Sequence, residues 1–352
     1  MKKKKIAMIL ISSISVVSAL LLDFSYATSE PFPVYPGIVA NVRFWIDVYS
    51  KFPTTKGILH DNSDLSIVYS VIDLLPPEKH GAPKENAKRI KIAKEKYRKI
   101  LEQMSENPAS QNTETQEIAA LFNPRANPPT YRKAMQNIRC QIGQRDRFEE
   151  GLTRSSPYVD KIKEIFRSNG MPEDLAYLPH VESSFNPKAY SKAGAAGIWQ
   201  FTRSTGKKFM KVGRGIDERR DPIRSSKAAA QLLEQNYKIL RSWPLAITAY
   251  NHGIAGLSKA KKTKGSEEAI FSDYSTRRFK FASRNFYSEF LAARHVANNY
   301  AQYFGLTEES LSRTDPVSTE GSSWVCASCR QDNPEVQALP LLSPALKQAL
   351  RE

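Results

Sequence analysis

From Met171 to Gln200 the chain reads MPEDLAYLPHVESSFNPKAYSKAGAAGIWQ, with apolar Leu175, Leu178, Val181 and Phe185 recurring at spacings of three and four. That is the period of a helix face, so this segment is patterned to lie against a core. One acid, Glu182, falls inside the run. A carboxyl group among apolar neighbours loses hydration, which disfavours its charged form and is expected to raise its pKa. An acid still protonated near neutral pH can protonate a leaving oxygen, as cleavage of an acetal requires. Taken alone, Glu182 has a plainer reading as a helix-end glutamate facing water, because buried glutamates are rare.

Helical periodicity continues on both sides. Residues 37–52 carry Val39, Val42, Phe44, Trp45, Val48 and Tyr49 as an apolar stripe. Residues 57–75 hold two short apolar runs around Asn62-Ser63, which suit a hairpin, although the second run suits a helix equally. A highly charged helix is expected over 84–105. Another is expected over 129–146, with proline in its first turn and Cys140 as a small buried residue within it. Helices then crowd together over 158–168, 172–183, 204–210, 225–240, 244–251 and 287–304. Asp221-Pro222 reads as a cap and helix entry. The expected fold class is therefore mostly α. An N-terminal, mainly helical region (28–150) precedes a helical domain (151–305), and a polar tail follows (306–352).

The first residues read as an export signal. Lys2 to Lys5 form a basic start, Ile6 to Leu22 an apolar stretch, and Ser25-Tyr26-Ala27 a small-x-small cleavage site. Cleavage is expected after about Ala27. The alternative is an uncleaved membrane anchor, since 17 apolar residues sit at the lower limit for spanning. No cysteine lies near the site, which argues against a lipid anchor. Cleavage would lower the formal net charge from +16 to +13. The mature chain stays basic, suiting either a polyanionic partner or a merely solvated surface. No zinc-finger spacing, aromatic sheet motif or basic heptad region points to nucleic acid.

Three cysteines are too few for a disulfide framework. Cys326 and Cys329 form one CxxC, which supplies only two metal ligands. It reads as a small local disulfide in an oxidising compartment. No metal or organic cofactor is expected.

Four pieces lie in order along the chain: Glu182-Ser183, Gly197-Ile198-Trp199-Gln200, Ala249-Tyr250-Asn251 and Asn285-Phe286-Tyr287. Together with PEDLAYLPHVESSFNPKAYSKAGAAGIWQF they resemble the lytic murein transglycosylases of the soluble-lytic, goose-lysozyme-like family, and within it the membrane-bound D type. The resemblance is dense from Cys140 to Phe304 and looser back to Arg43. It covers neither the tail nor any wall-binding repeat of the kind many D-type members carry.

The resemblance implies a lysozyme-like helical catalytic domain, with peptidoglycan glycan strands as substrate. It implies that Glu182 acts first as acid and then as base. Glu182 would protonate the bridging oxygen between N-acetylmuramic acid and N-acetylglucosamine. It would then take a proton from the muramyl C6 hydroxyl, which attacks C1 and leaves a 1,6-anhydro end without consuming water. Substrate contacts are implied for Gln200, Tyr250 and Asn251, with Ser183 either orienting Glu182 or ending the helix. Trp199 would line the sugar site or pack the core. In the last motif, direct alignment puts Phe286 where relatives carry tyrosine, and Tyr287 is the nearest hydroxyl. His252 and His180 are read as structural.

Ordinary glycosidases use two carboxylates, and these motifs contain one. Asp217, Glu218 and Asp221 are the loop acids that a hydrolytic muramidase could recruit, although Asp221 reads as a helix cap. A non-catalytic glycan-binding scaffold is the other alternative. An exported, periplasmic or cell-envelope location follows from the signal.

Overall fold

The computed structural model describes residues 30–107 and 112–312. The expected export signal and the Cys326–Cys329 pair lie outside these residues.

The chain enters through a 3-10 turn into α1 (Val39–Ser50). Strands β1 (Lys56–Asp61) and β2 (Val68–Asp73) follow as an antiparallel hairpin. Then come α2 (Ala82–Glu106), α3 (Thr113–Ala119) and α4 (Pro128–Asn137). Asn112 and Asn127 begin α3 and α4 with reciprocal capping boxes to Thr115 and Thr130. β3 (Ile138–Ile142) adds to the far side of β1, giving the order β2-β1-β3.

Successive residues of a strand face opposite sides, and β1 uses this alternation to separate two cores. Ile58 joins a large core that also holds Phe44, Trp45 and Tyr49 of α1. Its neighbour Leu59 joins a smaller core with Ile90 and Leu101 of α2, Ile138 and Cys140.

The rest is helical: α5 (Arg145–Ser155), α6 (Val159–Ser168), α7 (Leu178–Ser183), α8 (Arg203–Gly206) and α9 (Pro222–Leu240). Then follow α10 (Trp243–His252), α11 (Ile254–Lys264), α12 (Glu267–Asp273), α13 (Phe281–Asn298), α14 (Tyr300–Phe304) and α15 (Glu308–Ser312). The mostly α, lysozyme-like reading holds.

α13 is the axis of the large core. It packs on α1, α10 and α7. Phe281 meets the rings of Phe44, Trp45 and His60. The large core thus spans the boundary expected at residue 150. Asn41 donates to Asn285 at 3.0 Å, Arg284 to the Asn62 carbonyl at 2.8 Å, and Arg294 to Glu30 at 2.9 Å.

Several segments differ from the sequence reading, among them α3, which begins within a stretch expected as loop, and the helix expected over 204–210, which stops at Gly206. The helix expected over 129–146 stops at Asn137, and Ile138–Ile142 pairs with β1 as a strand. Cys140 is buried as expected, but on this strand. Residues 173–177 form a 3-10 turn rather than the first turns of one continuous helix. The helix expected over 287–304 starts earlier, at Phe281, and breaks at Asn299. Residues 308–312, expected in the tail, are helical.

Candidate active site

Glu182 lies in the last turn of α7 and is 3% exposed. The helix ends directly after it, on two successive non-glycine residues with left-handed backbone, Ser184 (φ 50) and Phe185 (φ 55). The Ser184 and Phe185 amides donate back to the His180 and Pro179 carbonyls, satisfying orphaned carbonyls as a left-handed cap does. Each such residue costs about 1–2 kcal/mol when it carries a side chain. Packing supplies the compensation. Gly151 of α5 lets that helix approach until an added Cβ would stand 3.0 Å from the Ser184 carbonyl oxygen. Arg154 donates to that same carbonyl at 2.9 Å.

The loop 194–200 is fastened to this helix end. The Ser183 hydroxyl donates to the Ile198 carbonyl at 2.9 Å and accepts from the Asn186 amide at 3.2 Å. From the other side, the Tyr250 hydroxyl donates to the Trp199 carbonyl at 2.9 Å. Gln200 has φ 48; its Nε2 donates to the Gly197 carbonyl at 2.9 Å, while its buried Oε1 has no partner. Glu182-Ser183, the loop and Tyr250 are thereby brought together by hydrogen bonds to adjacent backbone carbonyls.

Beneath the loop sits Arg219, which is 2% exposed. Its guanidinium donates to the Gly194 carbonyl at 2.8 Å and the Phe201 carbonyl at 2.9 Å. It also holds both oxygens of Asp217, at 2.8 and 2.7 Å. Gly197, at φ +77, is required here because an added Cβ would fall 1.7 Å from the Arg219 carbonyl oxygen.

A model of the Transglycosylase SLT domain family matches residues 161–271, a span that includes Glu182, Gln200, Tyr250 and Asn251. Residues 161–271 are thus similar to the transglycosylase SLT domain.

The chain is 41% identical over 112 residues to membrane-bound lytic murein transglycosylase D of Escherichia coli K12, covering 31% of this chain and 25% of that protein. It is 36% identical over 102 residues to a putative tributyltin chloride resistance protein of Alteromonas sp. M-1, covering 28% and 49%. It is 28% identical over 173 residues to membrane-bound lytic murein transglycosylase F of Aeromonas hydrophila, covering 44% and 34%. The chain thus spans from a quarter to about half of the length of these curated relatives.

Within the matched span, Trp199 is a core residue rather than a sugar platform. It is 0% exposed, and its indole donates to Ser226 at 2.7 Å. Beyond the matched span, Tyr287 is also excluded from a substrate surface. It is 0% exposed, stacks on Phe271 and donates its hydroxyl to the Pro33 carbonyl at 2.9 Å. Phe286 is buried as well. Alternation of large apolar and motif residues in these segments could not separate core from cleft. Asn251 is half-buried and accepts a long contact from Ser283 at 3.5 Å.

The loop acids are already engaged. The Arg219 guanidinium holds the Asp217 carboxyl below the usual carboxylate range. The Lys211 amide does the same for Glu218, which also pairs with Arg224. Asp221 caps α9, accepting from the Ile223 and Arg224 amides at 2.9 Å, as expected.

Two groups escaped the sequence reading, Arg219 and Glu289. Arg219 is one among several charges in GIDERRDP, and nothing in residue type marks it as the buried one. His252, read as structural, pairs through Nδ1 with the Ser283 hydroxyl at 2.9 Å and so ties the end of α10 to the start of α13. Glu289 of α13 is 1% exposed, its Oε2 has no hydrogen-bond partner, and burial pushes its carboxyl up to about 8. Among the described residues no cluster of His, Cys, Asp or Glu could hold a metal ion.

Proposed function

We propose that the protein is a peptidoglycan lytic transglycosylase with Glu182 as its single acid and base. The observation that carries this reading is the contrast between carboxylates. Glu182 is buried at a helix end beside the Gly197–Gln200 loop, whereas Asp217, Glu218 and Asp221 hold that loop and α9 in place. In its neutral form a carboxylic acid can protonate the bridging oxygen of a MurNAc–GlcNAc bond. Once ionised, Glu182 takes the proton of the muramyl C6 hydroxyl as that oxygen bonds to C1. The result is a 1,6-anhydro end, with no water added.

Ser183, through its bond to Ile198, and Tyr250, through its bond to Trp199, position the loop against Glu182. Gln200 offers its Oε1, and Asn251 its amide, to N-acetyl or hydroxyl groups of the glycan. The similarity to the D- and F-type murein transglycosylases supports this substrate class. An envelope location fits it, reached by export through the N-terminal signal or by an uncleaved anchor. No helix of the described residues is long and apolar enough to cross a membrane.

The test is digestion of purified peptidoglycan followed by mass spectrometry of the released muropeptides. Products one water lighter than reducing-end muropeptides, absent with Glu182→Gln, are expected. Reducing-end products would assign a hydrolase instead. Glycan binding without any product would assign a scaffold.

A further inference from the structure

On the His180 side of α7 lies a cavity of about 440 Å³, lined also by Leu152, Lys163, Tyr177 and Asn298. Residues two apart on a helix do not share a face, and it is His180, two positions before Glu182, that reaches this cavity. Its volume falls in the range of pockets that hold small ligands.

The lining has a definite chemistry. His180 is 2% exposed, is clasped by Phe148 and Phe185 with ring centroids at 4.7 and 4.6 Å, and has no partner for Nδ1. Burial lowers its pKa to about 3, so the imidazole is neutral, with one donor and one acceptor nitrogen. Tyr177 donates to Asn298 Oδ1 at 2.5 Å, which leaves the Asn298 amide nitrogen as a donor. Lys163 projects its ammonium over the Tyr177 ring at 5.0 Å. Asp160 and Glu308 add exposed carboxylates at the margin. One cation, two carboxylates and a neutral floor of donors and acceptors complement a ligand with both charges and amide groups.

We propose that this cavity binds a short peptide bearing a free ammonium and a free carboxylate, the kind of peptide that peptidoglycan strands carry. Lys163 takes the carboxylate, Asp160 and Glu308 take the ammonium, and His180 with Asn298 meets the amides. The choice of a wall peptide rests on the function proposed above. Because His180 and Glu182 share α7, occupancy of this cavity bears on the helix that positions the acid.

The experiment is calorimetric titration of the full-length Glu182→Gln protein, which does not consume substrate, with the free tripeptide Ala-D-Glu-Lys. An uncharged counterpart, N-acetyl-Ala-D-Gln-norleucine amide, is the control. Saturable binding is expected, weakened about tenfold or more by Lys163→Met, by Asp160→Asn and by removing the peptide's charges. Lys163→Met keeps the aliphatic stem over Tyr177, and thermal melts of both variants verify folding. No saturable binding at millimolar peptide, or equal binding by the folded variants and of the uncharged peptide, overturns the site. A disaccharide-peptide that competes with the tripeptide identifies strand-borne peptide as the source; one that does not compete identifies released peptide. Peptide binding together with glycan cleavage that survives Glu182→Gln would defeat the proposed reaction while leaving this site standing.

Discussion

Glu182→Gln keeps the shape of the side chain and removes the titrating proton. It is expected to lower glycan cleavage by about 10²–10⁴-fold while leaving the melting temperature and glycan binding nearly unchanged. Arg219→Ala is expected to do the opposite kind of damage. It strips the Gly194 and Phe201 carbonyls of their donor and leaves Asp217 unpaired. A loss of about 3–5 kcal/mol in denaturant unfolding is expected, with cleavage falling because the loop is released.

Glu289 titrates differently from an exposed acid. Its folded pKa of about 8 lies above the ordinary value of 4.5. Between those values the unfolded chain is ionised and the folded chain is not, so folding takes up a proton. The stabilising contribution is full below pH 4.5 and is lost as pH rises to about 8, by on the order of 5 kcal/mol. Glu289→Gln should flatten this dependence and melt higher than the parent at pH 8. A parent whose stability is level from pH 5 to pH 8 would refute the assignment.

The burial of Glu182 was half legible: apolar spacing hinted at it, but Leu175 lies in a 3-10 turn and Phe185 beyond α7, and only the motifs that follow favoured burial over an exposed helix end. That of Arg219 was not legible, because a charged loop gives no sign of which guanidinium turns inward. Nor was the burial of Trp199 and Tyr287, since an aromatic beside a motif suits core and cleft alike.

At the scale of elements, most helices could be read from periodicity and caps, because 3.6-residue spacing and Asx or serine caps are local signals. β3 could not, because a five-residue run becomes a strand only when β1 offers its edge. The break between the 3-10 turn and α7 was also hidden. It places Pro179 in the first turn of α7, where its missing N–H costs nothing. The role of α1 was only half visible. Its apolar stripe was plain, but its partner α13 lies more than two hundred residues away. If α1 is part of the catalytic body, Trp45→Ala should cost about 3–5 kcal/mol. It should also lower the melting transition of the whole protein rather than create a separate one for the N-terminal region.

At the scale of the whole molecule, the formal charge of +16 suits an acidic wall polymer. Binding of Glu182→Gln protein to insoluble peptidoglycan should weaken as salt rises from 0.1 M to 1 M, over which screening shortens from about 10 Å to about 3 Å. Salt-independent retention would assign binding to the cleft rather than to the surface.

The contacts that join Glu30, Pro33 and Asn41 to α13 set an order of events for a newly made chain. Among the described helices α1 is made first, and the part of its apolar stripe that faces α13 stays uncovered until nearly the last of them has arrived. Threading the chain from its N-terminus therefore delivers a sticky helix first and its cover late. Such a chain completes its core only near the end of synthesis, and in the interval it depends on whatever holds exposed α1 apart from its neighbours.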